Sequence, residues 1–236
     1  MPTGAVVVIG DEILSGKFAD ENGPFAIRRL REVGADLRRL VTIRDDVSAI
    51  GDEIGHCSRT FDFVVTTGGV GPTHDDVTFE GIALGLGVEL ERREELVSLL
   101  ARFGLPESVA SLRMATVPSG AELIRDTDLH IPIVRVSNVY VFPGIPKLFK
   151  RGLERVLDRF RGVPVTNRRV ATREREVTIA PLLTEVQGRF PDVAIGSYPR
   201  PDRVLVTFES RNVEALDAAV AAVRRGLPDA LDEESG

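Results

Sequence analysis

The sequence predicts an α/β protein, with a three-layer α/β/α domain on a mostly parallel sheet and a small α+β domain after it. Strand and helix patterns alternate through the first 65 residues, and such alternation gives right-handed crossovers and a parallel sheet. Residues 5–9 are almost all β-branched, as in strands that are covered on both faces. The pattern restarts on a smaller scale after residues 162–167, so we predict domains at 1–165 and 166–236.

The elements of the first domain follow from apolar spacing, with a period of two for strands and 3.6 for helices. The predicted strands are residues 5–9, 37–43, 61–65, 121–124, 133–136 and 139–142. The predicted helices are residues 24–33, 47–57, 78–86, 92–103 and the segment that follows the Pro-Gly-Ile-Pro turn, to residue 157. Asp46 or Ser48 is the expected cap of the second helix, and Thr78 that of the third.

The second domain has a β-α-β-β-α pattern. Its strands are predicted at 170–178, 193–198 and 203–209, and its helices at 179–190 and 213–227. Pro181 fits the first turn of the first of these helices, where its missing N–H costs nothing. The acidic end, 229–236, is expected to fray.

Composition limits the function classes. The chain has 236 residues, 43% of them hydrophobic, and a net charge of −6, which argues against electrostatic binding to nucleic acid or to an anionic membrane. Its one cysteine, Cys57, excludes an intramolecular disulfide and fits a reducing compartment. No apolar run has the length of a signal peptide or membrane span. We therefore expect a cytoplasmic protein.

The stretch TTGGVGPTHDD, residues 66–76, follows the third predicted strand. Glycine has no Cβ, so backbone amides in this loop can approach an anion closely. Thr66, Thr67 and Thr73 add hydroxyl donors. Ligands bind at the carboxyl ends of parallel strands, so the loop predicts a phosphate site. Two common phosphate motifs fail, because no Gly-Lys-Ser/Thr follows and His74 stands where a dinucleotide fingerprint needs glycine.

Two adjacent carboxylates, Asp75 and Asp76, end this loop. Hard divalent cations prefer carboxylate oxygens and offset phosphate charge. A plain helix start also favours acidic residues, so both interpretations stay open from these residues alone.

The loop also resembles a known family. TTGGVGPTHDDVT is similar to the signature of molybdenum-cofactor biosynthesis domains of the molybdopterin-binding MoaB/Mog type, in the form found in the amino-terminal domains of CinA and FAD synthase. VVVIGDEILSG, TIRDDVSAI and NVYVFPGIPKLF agree with that pattern. IGSYP and VLVTFES resemble the small domain that follows in the FAD synthase type. The resemblance covers nearly the whole chain.

The resemblance implies a set of site residues. Those expected to bind the phosphate or ligand are Gly10, Asp11, Ser15, Gly16, Thr67, Gly68, Gly69, Gly71, Thr73, Pro143 and Gly144. Those expected to hold a divalent cation (Mg²⁺, Mn²⁺ or Co²⁺) are Asp75, Asp76 and Asp45, with Asp46 as the alternative to Asp45. Those expected to be catalytic are Asp75, Asp76 and Glu12. This chain departs from the family at Asp20-Glu21-Asn22, where Asp-Thr-Asn is usual, and at Val70, where Leu is usual.

The resemblance implies a small phosphate-bearing ligand and a homo-oligomer. Because the resemblance is to the CinA and FAD synthase branch, we favour a metal-dependent nucleotide pyrophosphatase that acts on ADP-ribose- or FAD-like diphosphates. The loop keeps both carboxylates, which favours catalysis over binding alone. The alternatives are molybdopterin adenylylation and a non-catalytic module that binds molybdopterin or a nucleotide. Residues 166–236 are too few for the domain that makes FAD, so FAD synthesis is not expected.

Overall fold

The computed structural model describes residues 1–105, 107–125, 132–227 and 231–232. It divides into two compact units, Met1–Gly162 and Val163–Gly236. Within the described residues, no helix combines the length and hydrophobicity that a membrane span requires.

The first unit alternates strands and helices. Its strands are β1 (Thr3–Ile9), β2 (Asp36–Ile43), β3 (Phe63–Thr67), β4 (Leu90–Arg92), β5 (Thr116–Pro118), β6 (Glu122–Ile124), β7 (Ile133–Val136) and β8 (Val139–Phe142). Its helices are α1 (Asp11–Leu14), α2 (Asn22–Glu32), α3 (Val47–Thr60), α4 (Thr78–Leu86), α5 (Glu94–Arg102), α6 (Val109–Met114) and α7 (Pro146–Val156), with a 3₁₀ turn at Leu157–Phe160.

A six-stranded sheet forms the middle layer, in the order β2-β1-β3-β8-β7-β6. The first four strands are parallel, and β7 and β6 add antiparallel pairs. Alternate residues of β1 face opposite sides: Val7 packs in one core with Ile54 of α3, and Val6 packs in the other with Leu30 of α2 and Phe149 of α7. The predicted three-layer fold with a mostly parallel sheet is confirmed.

Local chemistry explains where the helices begin. The Asp46 carboxylate accepts a hydrogen bond from the Ala49 amide at 2.8 Å and caps α3, as predicted. The predicted Thr78 cap is wrong: Val77 holds the cap position of α4, and the buried Thr78 hydroxyl donates to the Gly68 carbonyl at 2.9 Å. Four short elements, α1, β4, α6 and β5, were not predicted, because segments of three to six residues show too little periodicity.

Glycines let α3 and α4 pack closely. A Cβ on Gly85 would lie 2.4 Å from the Gly51 carbonyl oxygen, and one on Gly81 would lie 2.4 Å from Ile50. Asp45 lies just before α3, and the glycine-rich loop lies just before α4. This contact therefore fixes two loops of the candidate site relative to each other.

The second unit has its own sheet and core. Its elements are β9 (Thr166–Thr172), α8 (Glu176–Arg189), β10 (Ala194–Pro199), β11 (Val204–Ser210), α9 (Val213–Gly226) and β12 (Leu231–Asp232). The sheet order is β10-β11-β9-β12, and the pairs are antiparallel. Val206, Val186 and Val223 share one hydrophobic cluster, so strands and both helices enclose a single core, as the α+β prediction requires.

Two details of that prediction are wrong. The strand expected at 170–178 ends at Thr172, and α8 begins at Glu176, so Pro181 lies inside α8 rather than in its first turn. Residues 173–176 are all charged, so no apolar spacing marks the point at which the strand ends and the helix begins. Of the end expected to fray, 231–232 pair with β9, and the other residues lie outside the described part.

Candidate functional site

Three loops meet at the carboxyl edge of the parallel strands. They follow β1, β3 and β8 and comprise residues 10–16, 68–76 and 143–146. A Cβ on Gly68 would lie 1.9 Å from the Ile9 carbonyl oxygen, and one on Gly144 would lie 3.3 Å from the Gly68 Cα. The backbones are therefore in close contact, at the shared edge that the sequence predicts.

Glycine is required at the start of the middle loop. Gly68 and Gly69 have φ angles of +106° and +62°, which side chains with a Cβ rarely adopt. In the described part of the chain, the backbone amides of Gly69, Val70 and Gly71 have no hydrogen-bond acceptor. These three donors are available to an anion.

The acidic end of that loop is closed by its own hydrogen bonds. The Asp76 carboxylate accepts from the Thr73 amide at 2.8 Å and from the Thr73 hydroxyl. Arg113 of α6 donates to the Thr73 carbonyl at 2.5 Å and holds the loop from outside. A Cβ on Gly71 would lie 2.7 Å from Asp76 Oδ2. Asp76 and Thr73 therefore shape the loop.

Carboxylates crowd the end of β2. The Asp45 side chain accepts from the Asp11 amide at 2.8 Å. Burial raises the pKa of Asp45, the Asp11 amide opposes that rise, and the charges of Glu12, Asp11 and Asp75 add to it. Arg44 offsets part of this charge, with its Nε 3.1 Å from Asp11 Oδ1. Negative charge at Asp45 is thus unfavourable without a cation.

Asp75 lies in a different environment. The pKa of its carboxyl is lowered, first by the Thr73 hydroxyl and then by its own backbone amide. That hydroxyl makes its close contact with Asp76, so the two carboxylates share one donor. His74 is 96% exposed, with its Nδ1 3.9 Å from Asp75 Oδ1. The His74 side chain therefore lies in solvent at the surface of the loop.

Two cavities flank Glu12. The apolar cavity, of about 390 Å³, lies between the glycine loop, α5 and β8, and its lining includes Glu12, Asp76, Phe79, Leu100, Met114 and Gly144. The polar cavity, of about 590 Å³, lies over the ends of β1 and β2, and its lining includes Asp11, Glu12, Ser15, Lys17, Arg44, Asp45 and Asp75. Glu12 lines both cavities, so a ligand that spans them would pass this carboxylate.

The expected metal ligands divide between these cavities. Asp45 and Asp75 line the polar cavity, whereas Asp76 lines the apolar one. Among the side chains that the structure describes, no three His, Cys, Asp or Glu residues are arranged to hold a metal ion. Asp46, the alternative to Asp45, caps α3 instead.

The remaining predicted residues have distinct positions. Gly10 precedes α1, where a Cβ would lie 2.8 Å from the Glu12 carboxylate. The Ser15 hydroxyl donates to the Glu12 carbonyl at 3.3 Å, and Gly16 has a φ of +73°. Thr67 is only 1% exposed, and its hydroxyl donates to the Pro143 carbonyl at 3.0 Å, so it supports the rim from below.

The neighbouring Thr66, unlike Thr67, makes no hydrogen bond to the rim loops among the described residues. Its hydroxyl is buried and has no partner among the described residues. It therefore adds no donor to the phosphate site, contrary to the expectation from sequence.

Sequence reasoning missed three parts of the site. Asn22 links the loops through its side chain, Arg113 holds the acidic loop, and α5 and α6 supply the apolar wall. Asn22 matches the family pattern in the Asp20-Glu21-Asn22 segment, but nothing in that segment indicates its partners, which are 45 and 122 residues away. Arg113 carried no signal, since it is 40 residues from its partner.

Comparison with known proteins agrees with this architecture. Residues 5–162 match the family described as "Probable molybdopterin binding domain", and residues 164–234 match "FAD synthase, middle domain". The crystal structure of the protein CinA from Thermoplasma acidophilum aligns with a TM-score of 0.62 and 29% identity, covering 67% of this chain and 98% of that one.

Two relatives extend over nearly the whole chain. A protein of Archaeoglobus fulgidus is 35% identical over 224 residues, which are 95% of this chain and 97% of the relative. A "Probable FAD synthase" of Caenorhabditis elegans is 32% identical over 95% of this chain, which spans only 50% of that relative. The chain belongs to the probable molybdopterin-binding domain family and continues into a domain of the FAD synthase middle type.

Proposed function

We propose that the chain is a metal-dependent nucleotide pyrophosphatase that acts on ADP-ribose- or FAD-like diphosphates. One observation carries the proposal: Glu12 lies where an apolar cavity and a carboxylate-lined polar cavity meet, beside backbone amides that lack partners in the described structure. A ligand with a ring and a diphosphate fits this arrangement, with the ring in the apolar cavity and the diphosphate at the amides and the polar cavity.

The apolar cavity suits the ring. Its volume of about 390 Å³ is within the range of small-molecule sites, roughly 300–1,000 Å³. Phe79, Leu96, Leu100 and Met114 supply apolar surface, which gains free energy when a planar ring displaces water.

The glycine loop suits the diphosphate. Gly69, Val70 and Gly71 present amides without internal partners in the described chain, and amides on glycine-rich turns form anion-binding concavities. Lys17 and Arg44 line the polar cavity and add positive charge on the far side of Glu12.

The cation would be held by Asp45 and Asp75, which line one cavity and whose charges repel each other. Two carboxylates are enough, since Mg²⁺ is usually bound by one or two of them together with substrate phosphates. The lack of a three-residue group among the described side chains is consistent with such a shared site. When bound, the cation would stabilise phosphoryl charge and lower the pKa of a coordinated water.

Glu12 is the proposed general base. Its carboxylate would accept a proton from water as the oxygen bonds to one phosphorus and the bridging P–O bond breaks. The products are two phosphate monoesters, such as AMP and ribose 5-phosphate from ADP-ribose. Asp76 would hold the loop through Thr73, and the rim amides would bind the charge that develops on phosphoryl oxygens.

The names of the relatives support this ligand class. FAD synthase handles a dinucleotide, and the matched family is described by molybdopterin, so each pairs a ring with phosphate. The second candidate is a non-catalytic module that binds such a ligand, with molybdopterin adenylylation as a further use of the same pocket. The module needs no cation, and the lack of three convergent metal ligands among the described side chains is the observation that keeps it as the second candidate.

Hydrolysis assays separate catalysis from binding alone. ADP-ribose and FAD are incubated with Mg²⁺, Mn²⁺ or Co²⁺, and products are resolved by chromatography. We expect turnover that falls at least about a hundredfold in Asp75→Asn and in Glu12→Gln. Asp52→Asn is the matched control, since Asp52 is an exposed carboxylate on α3. Tight binding of these ligands without hydrolysis under any metal would establish the binding module instead.

We also propose that the chain forms a homo-oligomer, as the family resemblance implies. Light scattering coupled to size-exclusion chromatography tests this directly. A mass equal to one chain, 25.7 kDa, at micromolar concentration would refute it.

A further inference from the structure

Asn22 connects three segments of the site from beneath. It is the first residue of α2 and only 5% exposed. Its Nδ2 donates to the Thr67 hydroxyl oxygen at 2.9 Å and to the Gly144 carbonyl at 2.8 Å. The Thr67 hydroxyl in turn donates to the Pro143 carbonyl at 3.0 Å. The start of α2, the end of β3 and the rim loop after β8 are thus joined by one chain of donors.

The direction of this chain is fixed by its acceptors. Reversing the Asn22 amide would place Oδ1 against the Gly144 carbonyl oxygen, so that two acceptors faced each other. In the observed orientation, Oδ1 is buried and has no partner within the described residues. Burying an unpaired oxygen is unfavourable, so stability alone does not account for an asparagine here.

The relay sets the orientation of the rim peptides. In a trans peptide, the N–H points opposite to the C=O, and the described chain has no cis peptide. The carbonyls of Pro143 and Gly144 point toward buried Thr67 and Asn22. The amides of Gly144 and Ile145 therefore point away from the buried layer.

The two residues that carry these amides lie at the candidate ligand site. Gly144 and Ile145 both line the apolar cavity, and Ile145 is 60% exposed. Neither amide has a backbone acceptor among the described residues. Gly144 also touches Gly68, so these donors lie beside the amides of the glycine loop.

We infer that Asn22 is a positioning residue that, together with Thr67, turns the Pro143–Gly144 peptides so that the amides of Gly144 and Ile145 bind a phosphate of the ligand. The inference rests on the proposed function and names the residue that orients the rim loop of its phosphate site. Asn22 does not touch the ligand. It acts through the two carbonyls that it and Thr67 hold.

A purely structural role for Asn22 gives a different expectation. If the relay only stabilised the fold, its loss would weaken binding of every part of the ligand to a similar extent. If it orients two amides, its loss weakens phosphate binding and leaves ring binding unchanged. The ratio of the two affinities is therefore the informative quantity.

The test uses amide NMR titrations of the full chain, with inorganic pyrophosphate and adenosine as separate probes. In the wild type, pyrophosphate should shift the Gly144 and Ile145 amide resonances. Asn22→Ala should raise the Kd for pyrophosphate about tenfold or more, the scale of a lost hydrogen bond to a charged group, with the adenosine Kd within about twofold. Thr67→Val should also raise the Kd for pyrophosphate. It provides a second test of the relay if Asn22→Ala fails to fold.

Thr66→Val is the matched control. Thr66 is the adjacent residue of β3, equally buried, and its hydroxyl has no hydrogen-bond partner within the described chain. It should change neither affinity. Equal weakening of both probes in Asn22→Ala, or unshifted Gly144 and Ile145 amides in the wild type at saturating pyrophosphate, would overturn the inference.

The same titration separates this inference from the catalytic proposal. If pyrophosphate shifts both rim amides but ADP-ribose is not hydrolysed, the pyrophosphatase function fails and the role of Asn22 stands. If ADP-ribose is hydrolysed while these amides stay unshifted, the role of Asn22 fails and the function stands.

Discussion

The two edges of the six-stranded sheet use similar residues in opposite ways. At the amino edge, the Asp62 carboxylate accepts from the amide and hydroxyl of Thr3. Asn138 donates to the carbonyls of Ser58 and Phe61 and accepts from the Ser58 hydroxyl. At the carboxyl edge, Asn22 has an unpaired Oδ1 and Asp45 a raised pKa.

This difference separates stability from function. Polar groups at the amino edge are paired with each other, so they stabilise the folded state. Those at the carboxyl edge keep unpaired donors and crowded charge, which cost stability and suit a ligand with phosphate and a cation. An edge built for binding should therefore respond to mutation differently from an edge built for closure.

The largest loss of stability should come from a side chain placed where the backbones of the loops come into close contact at the carboxyl edge. We expect Gly68→Ala to destabilise the amino-terminal unit by about 3–5 kcal/mol. The new Cβ would lie 1.9 Å from the Ile9 carbonyl oxygen, at a φ of +106°. Urea unfolding followed by circular dichroism measures the change.

Gly120→Ala is the control for backbone strain alone. Gly120 has a φ of +77°, and a Cβ added there would have no heavy atom within 4 Å apart from its chain neighbours. Gly120→Ala should lower the free energy of unfolding by only about 1–2 kcal/mol. Equal losses in the two variants would show that contact with β1 is not what demands a glycine at the site.

A smaller effect is expected at the amino edge. Asn138→Ala removes three hydrogen bonds, the shortest being 2.6 Å from the Ser58 hydroxyl to Oδ1. We expect a loss of about 1–3 kcal/mol and no change in the affinity for pyrophosphate. Urea unfolding and the NMR titration measure both quantities, and weakened pyrophosphate binding would break the contrast between Asn138 and Asn22.

Much of the fold could be predicted from sequence, for identifiable reasons. β1 is a run of buried aliphatic residues, and helices such as α3 repeat apolar residues at helical spacing. The shared edge of the loops then follows from the parallel sheet, without knowledge of any side-chain contact. The short pair β4 and β5 could not be found, because three residues carry no measurable period.

The site was predictable only where its signal is local. The glycines of the middle loop are required by their own backbone angles, so the sequence reveals them. Asn22 depends on Gly144, 122 residues away, and such a pair has no local signature. The division of Asp75 and Asp76 between two cavities depends on how the loop closes on Thr73, which composition does not determine.

The smallest effect concerns two aspartates, one at each edge of the sheet. Their variants should shift the thermal midpoint in opposite directions. Burial and the charges of Glu12, Asp11 and Asp75 raise the pKa of Asp45, against the Asp11 amide. Because this carboxyl has a higher pKa in the folded state, the folded state binds more protons than the unfolded state does. Ionisation of Asp45 therefore lowers the free energy of unfolding as the pH rises above the carboxyl pKa of the unfolded chain, about 3.9. Asp45→Asn should therefore raise the thermal midpoint of the amino-terminal unit at pH 7 by about 1–2 °C, a small shift because the site is partly exposed.

Asp62 should show the opposite sign. Hydrogen bonds from the Thr3 amide and hydroxyl lower its pKa, so its ionised form stabilises the folded state above the unfolded value, and that contribution is lost as pH falls through the folded value. Asp62→Asn should lower the thermal midpoint at pH 7, and its midpoint should converge with that of the wild type in acid.

Both variants are compared by calorimetry from pH 3 to pH 8, with and without Mg²⁺. Mg²⁺ should raise the midpoint of the wild type and of Asp62→Asn but not of Asp45→Asn, because only Asp45 belongs to the proposed cation site. A loss of stability in Asp45→Asn at pH 7 would mean that its hydrogen bond to Asp11 outweighs the crowded charge, and the contrast between the edges would then fail at this residue.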